Sequence, residues 1–172
     1  MEFFDVIQAR HSTSSFADHA VEQEKILKIL EAANSAPSAG NLQAYEIYVV
    51  TDPKKRDGLS CAALGQEYIA NAPVALVFCT HPERTEFQYT ERGARLYTVQ
   101  NATIACSFAM LAATALGLGC VWVGAFDEKA VRQIVGAPER QTPVAILPIG
   151  YPTAQPEHRP RRSLKELTHW LD

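Results

Sequence analysis

The longest apolar stretch of the chain runs from Tyr97 to Phe126 and contains a glycine-rich turn. Its apolar residues recur at intervals of three and four, the spacing of one helix face: Ala105, Phe108, Ala109, Ala112, Ala115 and Leu116. The other faces are apolar too, which predicts a helix with little surface in water. Gly117 and Gly119 are expected where this helix ends in a left-handed cap. A short buried strand, Cys-Val-Trp-Val-Gly, is predicted after them.

Shorter patterns elsewhere predict further helices and strands. The apolar spacing predicts helices over 2–9 and 21–33 and strands over 45–50, 74–79 and 143–149. Asp52 and Asp127 are predicted helix N-caps, the second opening a short helix through Val135. Ser163 with Glu166 three residues later has the capping-box form, which predicts a terminal helix to Trp170. Residues 80–95 show no period and are predicted to be a loop or lid.

Length and composition favour one domain over residues 1–172, because a chain of 172 residues can bury a core without metal or disulfide staples. Sixteen basic and nineteen acidic residues give a net charge of −3, and no block of like charge indicates a nucleic-acid partner. The four cysteines form no C-x-x-C pair, which favours reduced core residues and a cytoplasmic protein. We find neither a signal-peptide pattern nor an apolar run of about 18 residues, so we expect no membrane contact.

Basic and hydroxyl side chains gather in two places. The loop from Arg10 to Ser15 combines a guanidinium with hydroxyl groups, which suits a phosphate, although a solvated turn would have the same composition. Arginines at 159, 161 and 162 precede the predicted terminal helix, a position that favours anions. A solvated basic turn would explain those arginines equally well.

Several common catalytic patterns are excluded. A G-x-G-x-x-G loop would need glycine at position 122, which is Trp122, and Gly117 and Gly119 close a helix instead of opening one. The chain has no G-x-S-x-G, H-E-x-x-H or P-loop motif, and its five histidines lack metal spacing. An enzyme of this sequence would therefore take its chemistry from a bound organic cofactor.

Four stretches in order along the chain, followed by the arginine tail, resemble the nitroreductase family of FMN-dependent oxidoreductases. They are Arg10-His11-Ser12, APSAGNLQ at 36–43, ALGLGCVWVGAF at 115–126 and LPIGYP at 147–152. The resemblance implies an α+β fold of three α/β/α layers around a mixed, mostly antiparallel sheet, in an intertwined homodimer with two shared active sites. It also implies FMN as cofactor, NADH or NADPH as transient reductant, and a small acceptor such as a nitroaromatic or quinone.

The resemblance assigns three groups of residues to FMN. The phosphate and ribityl chain would be bound by Arg10 and Ser12, with His11 between them, and by Arg159 and Arg161. The partner subunit would offer Pro37, Ser38 and Asn41, with Ser38 nearest the isoalloxazine. The flavin ring would meet Trp122 and Val123 on one face, the N–H of Gly124 at N5, and Gln66 at the pyrimidine edge. No side chain would be catalytic, and Gly124 would tune N5 electrostatically.

The chain also departs from the family pattern. Ser14 and Ser15 stand where a further basic residue is common, which puts the redox potential and nicotinamide use in question. Asn101 replaces a frequent aspartate, and the helical excursion that shapes the substrate pocket is reduced to residues 80–95. Three alternatives stay open: a reductive dehalogenase-like branch of the fold, a flavin-binding or sensory protein without turnover, and a cofactor-free interaction module.

Overall fold

The computed structural model describes residues 1–154 and 160–171. The elements in chain order are α1 (Phe3–Ala9), α2 (Gln23–Asn34), a 3₁₀ turn (Ala39–Asn41), β1 (Tyr45–Val50), α3 (Pro53–Ala62), α4 (Tyr68–Asn71), β2 (Val74–Thr80), α5 (Glu83–Arg92), a π-helical turn (Gly93–Tyr97), α6 (Thr98–Ala115), β3 (Gly119–Cys120), α7 (Glu128–Val135), β4 (Pro143–Gly150) and α8 (Leu164–Leu167).

The four strands form one sheet in the order β1-β2-β4-β3, and every neighbouring pair is antiparallel. Tyr45 at the start of β1 pairs with Thr80 at the end of β2, whereas Gly119 of β3 pairs with Gly150 at the end of β4. A parallel bridge between Ser12 and Cys120 adds the N-terminal loop to the sheet edge. The sheet is therefore mixed and mostly antiparallel, as predicted.

The two faces of the sheet carry separate hydrophobic cores. Leu76 and Phe78 pack with α2 and α6 on one face, and Ala75, Val77 and Cys79 pack with α3, α4 and α7 on the other. This alternation follows from the two-residue period of a strand, and β2 is buried along its whole length. The result is the predicted α/β/α sandwich.

Local sequence signals account for several element boundaries. Strand β1 has the predicted limits, and the carboxylates of Asp52 and Asp127 accept hydrogen bonds from the backbone amides of Lys55 and Ala130 at 2.9 and 3.0 Å. Gly117 has φ +75° after α6, the left-handed conformation that glycine adopts without strain. These N-caps and this C-cap are confirmed.

The stretch Glu83–Ala115 is long and apolar enough to cross a membrane by length and composition, with 44% of its most apolar window buried in the protein. The prediction that no stretch meets this test is therefore wrong. Ala102, Ala105 and Ala109 on α6 are fully buried in the core that α6 shares with α2 and the sheet. Burial of this face of α6 accounts for part of the apolar composition, whereas Val99 and Phe108 are exposed.

The prediction of a loop over 80–95 is also wrong, because α5 and the π-helical turn occupy most of it. The side chains of α5 are polar on nearly all sides and only Thr85 is buried, so no apolar period announces the helix. Distant contacts hold it instead. Arg140 contacts Glu86 at 2.6 Å, and Nε of Arg84 donates to the Leu42 carbonyl at 2.7 Å.

Two further predicted elements are shorter than expected. The predicted Cys-Val-Trp-Val-Gly strand keeps regular pairing only at Gly119–Cys120, after which Val123 rejoins the sheet through a single bridge to Ile146. The terminal helix has its expected bond from the Ser163 amide to the Glu166 carboxylate, at 3.3 Å. It ends at Leu167 instead of Trp170, and all its side chains are exposed, so no packed face extends it.

Candidate active site

The N-terminal loop is fixed against β3 by backbone pairing. The amide of Thr13 donates to the carbonyl of Cys120 at 2.9 Å. A Cβ atom at Gly119 would lie 2.7 Å from both Oγ1 and Cγ2 of Thr13. Glycine at 119 therefore permits the close approach of the loop, a role that its place at the end of a helix does not reveal.

Arg10 and Ser12 are available to a ligand in this loop. Arg10 is half-buried at the end of α1, and none of the carboxylates in residues 1–154 and 160–171 lies within 4.0 Å of its nitrogens. Ser12 is exposed. The ring of His11 is turned back to α1, with Nδ1 at 2.8 Å from the Ala9 carbonyl oxygen. A cation and a hydroxyl thus share one end of the sheet, which suits an oxyanion.

Beneath this loop lie a buried hydroxyl, on Thr13, and a buried thiol, on Cys120, which contacts the carbonyl oxygen of Met110 at 3.9 Å. The hydroxyl oxygen of Thr13 is buried without a hydrogen-bond partner among the described residues. Burial raises the pKa of the Cys120 thiol to about 12, against the opposing effect of the positive charge of Arg10. The thiol is therefore neutral at physiological pH and acts as a small core group, while Arg10 lies close enough to affect it.

The segment after β3 offers a backbone donor beside an aromatic ring. Gly124 is exposed, and its N–H makes no hydrogen bond within the described part of the chain. A Cβ atom on Gly124 would lie 3.4 Å from Nε1 of Trp122, which is itself half-buried. An aromatic wall and a free N–H donor next to each other are the features that a flat heterocycle needs.

Val123 is buried in the core. Its side chain is 1% exposed and packs in the core under α3 and α7, and its N–H and C=O both pair with Ile146, at 2.9 and 3.0 Å. Contact of Val123 with a flavin face stays a prediction, and the contacts present show a core residue that supports the neighbouring Trp122 and Gly124.

Gln66 is held by protein contacts on both ends of its amide. Its Nε2 donates to the carbonyls of Ala63 at 2.8 Å and Ala125 at 3.2 Å, and its Oε1 accepts a hydrogen bond from the hydroxyl of Tyr68. Gln66 thus ties the start of α4 to the residue that follows Gly124. Contact of Gln66 with the pyrimidine edge of a flavin stays a prediction. The hydrogen bonds of Gln66 support a different role, which is to position the segment 121–126.

Ser38 and its neighbours form a second polar group near the start of α6. Oγ of Ser38 accepts a hydrogen bond from the Gln43 amide at 3.0 Å, which leaves its own proton free to donate. Asn41 has φ +56°, and its side-chain oxygen accepts a bond from Nε2 of Gln43 at 2.8 Å. Pro37 is exposed beside them.

A groove of about 630 Å³ lies next to this second group and is lined by Pro37, Ser38, Ala39, Tyr97, Val99, Gln100, Asn101, Thr103 and Ile104. The Oδ1 atom of Asn101 accepts a hydrogen bond from the Ala39 amide at 3.1 Å. The Nδ2 atom of the same side chain is buried and has no partner in the described part of the chain.

One copy of the chain does not bring the two groups together. Ala39 contacts Asn101 near the start of α6. Thr13 contacts Cys120, whose thiol lies 3.9 Å from the carbonyl oxygen of Met110 on the same helix. At about 1.5 Å per residue, Asn101 and Met110 are separated by roughly 14 Å along α6. A compact ligand that contacts both groups would therefore take them from two copies.

The structure leaves the tail arginines untested. Arg159 lies outside the described residues, and Arg161 is exposed. The nearby Arg162 donates to the Glu166 carbonyl at 3.2 Å, a contact within the tail itself. In the described part of the chain, His, Cys, Asp and Glu side chains form no group of three that could hold a metal ion.

Comparison with known proteins gives a concordant result along most of the chain. A family model described as "Nitroreductase family" matches residues 7–68 and 58–151. A putative NADH dehydrogenase/NAD(P)H nitroreductase of Archaeoglobus fulgidus is 34% identical over 155 residues, which cover 88% of this chain and 86% of that protein. An FMN reductase [NAD(P)H] of Bacillus subtilis is 30% identical over 171 residues, covering 92% of this chain and 69% of that protein.

The solved structures agree in fold. The NADPH:FMN oxidoreductase from Vibrio harveyi, complexed with NAD⁺, matches with a TM-score of 0.90 and 27% sequence identity. The match covers 99% of this chain and 77% of that one. The fold described above is therefore shared over almost the whole chain.

Proposed function

The chain belongs to the nitroreductase family and is an FMN-dependent oxidoreductase that uses NAD(P)H, and we propose that it reduces a small nitroaromatic or quinone in a site shared by two copies. The observation that carries the proposal is the separation of the two polar groups along α6. The Arg10 group and the Ser38 group are each open to a ligand, and they lie at different points along the same helix, the first near Met110 through Cys120 and the second at Asn101.

The residues of the first group fit FMN by their chemistry. A phosphate monoester needs several charge-assisted hydrogen bonds. Arg10 offers a guanidinium that has no ion-pair partner in the described part of the chain, and Ser12 offers an exposed hydroxyl. Arg161 would add a second cation to the phosphate. The isoalloxazine needs an aromatic or apolar wall and few donors, which Trp122 and the free N–H of Gly124 provide.

When bound between these residues, FMN would supply the hydride chemistry that links NAD(P)H to the acceptor in two half-reactions. The chain contributes placement and electrostatics. The N–H of Gly124 would stabilise negative charge developing near N5, since a fixed donor costs no reorganisation. Gln66 would hold that donor in place through its bond to the Ala125 carbonyl at 3.2 Å.

The second copy would complete each site with Pro37, Ser38 and Asn41. Support for a homodimer comes from apolar side chains that the single chain leaves in water, a feature of protein interfaces. On α1 these are Phe3, Phe4 and Ile7, and in the tail they are Leu164, Leu167, Trp170 and Leu171. Trp170 is 89% exposed. Contact with a second copy would remove this surface from water.

We place the enzyme in the cytoplasm. Its four cysteines are free, with Cys79, Cys106 and Cys120 buried and Cys61 exposed. Free thiols are the rule in the reducing cytosol, where disulfides are rare.

Gel filtration followed by an absorption spectrum tests cofactor and assembly together. We expect a yellow protein that elutes at twice the mass of one chain, 18.9 kDa. Anaerobic stopped-flow mixing with NADH or NADPH should then bleach the flavin, and addition of a quinone or nitroaromatic should restore its colour. Flavin that binds but is not bleached by either nucleotide would contradict the proposed turnover, and a colourless monomer that retains no added FMN would contradict the shared site.

A further inference from the structure

A polar pocket of about 410 Å³ lies beside the N-terminal loop and does not include Arg10 or Ser12. Its lining residues come from that loop and from α3 and α4: Ser14, Ser15, Phe16, Asp18, Arg56, Ala70 and Asn71. The guanidinium of Arg56 on α3 is the one cationic group in this lining.

Arg56 is anchored but not neutralised. Its Nη1 donates to the Ala72 carbonyl at 2.7 Å, and its Nε is buried with no hydrogen-bond partner among the described residues. None of the described carboxylates lies within 4.0 Å of its nitrogens, although Asp18 lines the same pocket. A guanidinium keeps its charge in proteins, and a half-buried cation without a counter-charge favours an anion beside it.

The rest of the lining supplies the donors that an oxyanion needs. Ser14 and Asn71 are exposed toward solvent, and the hydroxyl of Ser15 lies 2.5 Å from that of Thr153. Hydroxyl and amide groups complete the coordination of phosphate oxygens around an arginine. Asp18 can accept hydrogen bonds from hydroxyl groups, which suits a phosphate carried on a sugar or sugar alcohol better than a bare anion.

The pocket lies where the family commonly has a further basic residue in the N-terminal loop. Positions 14 and 15 carry serines, and both serines line the pocket that Arg56 enters from α3. The positive charge absent from the loop is therefore supplied to the same place by a different element of the fold.

We propose that this pocket binds a phosphate ester, with Arg56 as its charged donor and Ser14 and Asn71 as neutral donors. The proposal rests on the proposed function for its source of phosphate ester, which is NAD(P)H, because the single phosphate of FMN is assigned to Arg10, Ser12 and Arg161. The pocket is large enough for a phosphate together with part of a sugar.

Three variants test the pocket. Arg56→Gln removes the charge, Arg56→Lys keeps the charge without the planar fork, and Lys54→Gln removes one charge from an exposed position of the same helix. FMN and riboflavin, which differ only in the phosphate, are titrated into apoprotein by fluorescence quenching. The dissociation constants of NADH and NADPH come from stopped-flow reduction of FMN-loaded protein.

Arg56→Gln should leave the affinities of FMN and riboflavin within twofold and raise the dissociation constant of NADH or NADPH by about tenfold or more. Arg56→Lys should recover part of the loss, and Lys54→Gln should match the wild type. A loss of FMN affinity with riboflavin unchanged would place the FMN phosphate here and overturn the assignment of the pocket to NAD(P)H.

Two further results would overturn the proposal. One is Arg56→Gln behaving like Lys54→Gln toward all four ligands. The other is an equal loss of FMN and riboflavin, which would mark Arg56 as a structural residue that holds the Ala72 carbonyl. If the wild type binds no flavin at all, calorimetric titration of inorganic pyrophosphate into the wild type and Arg56→Gln tests the pocket separately. The proposal then requires that the wild type bind pyrophosphate more tightly than the variant, and equal affinities would refute it.

Discussion

The backbone amide of Ala39 donates a hydrogen bond to Oδ1 of Asn101 across 3.1 Å, which ties the loop of Ser38 to the first turns of α6. Asn101 is 2% exposed, and its Nδ2 has no partner among the described residues. The side chain that replaces the family's frequent aspartate therefore sets the position of the predicted flavin contact.

Replacement of Asn101 by alanine should destabilise the fold and loosen the Ser38 loop. The substitution leaves the Ala39 N–H without its acceptor, which typically costs about 1–3 kcal/mol. Urea denaturation measures the free energy of unfolding, and Ser107→Ala, at an exposed position of the same helix, is the matched control. Equal stability of Asn101→Ala and the control would show that the hydrogen bond does not hold the loop.

Gly119→Ala should displace the N-terminal loop. The added Cβ would lie 2.7 Å from Oγ1 and Cγ2 of Thr13, closer than packed atoms tolerate, and overpacking of this kind costs about 1–3 kcal/mol. FMN affinity should fall with stability because Arg10 and Ser12 move with Thr13. Gly58→Ala is the control, since its Cβ would meet only Ile134 at 3.4 Å. A stable Gly119→Ala variant with normal FMN affinity would contradict the assignment.

Arg10→Ala should weaken FMN binding by more than about tenfold, because one charge-assisted hydrogen bond contributes about 1.5–3 kcal/mol. Riboflavin lacks the phosphate, so its affinity should change much less. Both are measured by quenching of flavin fluorescence, with the exposed Lys129→Ala variant as a charge-matched control. Unchanged FMN affinity in Arg10→Ala would remove Arg10 from the site.

Gln66→Leu should change the environment of the bound flavin. The variant leaves the Ala125 carbonyl and the Tyr68 hydroxyl without their partner and frees the segment that carries Gly124. We expect a shifted flavin absorption maximum and a loss of about 1–3 kcal/mol in stability. Tyr68→Phe removes one of these bonds only and should leave the spectrum near that of the wild type. An unshifted spectrum in Gln66→Leu would argue against positioning through Ala125.

The buried thiols should make stability fall at alkaline pH. Burial raises the pKa of Cys79 and of Cys120 from an ordinary value near 9 to about 12. Because the unfolded chain releases these protons first, the stabilisation is complete below about pH 8.5 and is lost as pH rises. By pH 9.5 each thiol should cost about 0.9 kcal/mol relative to neutral pH.

Urea titrations at pH 7.5 and pH 9.5 check this dependence, and the Cys79→Ala variant should show a smaller difference between the two. In the native protein at pH 8, a thiol reagent should modify Cys61 quickly, because it is exposed, and the three buried cysteines slowly. Rapid modification of more than one thiol per chain, or stability independent of pH, would contradict the burial described.

Much of the fold follows from signals that are local in sequence. The limits of β1, the caps at Asp52 and Asp127 and the left-handed Gly117 depend on residues a few positions apart, so the chain itself specifies them. The side chains of the Arg10–Ser15 loop predict an oxyanion site, although a solvated turn would have the same composition, and the order of the motifs identifies the family.

The remaining features depend on residues far apart in the chain. Helix α5 has no apolar period and is held by contacts with Arg140 and the Leu42 carbonyl. The side-chain amide of Gln66 donates a hydrogen bond to the Ala125 carbonyl. Neither the helix nor this hydrogen bond can be predicted from the residues of its own segment. The antiparallel sheet and the length of α6 separate Ser38 from Arg10. Sequence alone therefore determined most of the elements and the family to which the chain belongs. Which side chains meet was decided by tertiary packing, because a contact depends on where each element lies and not on its composition.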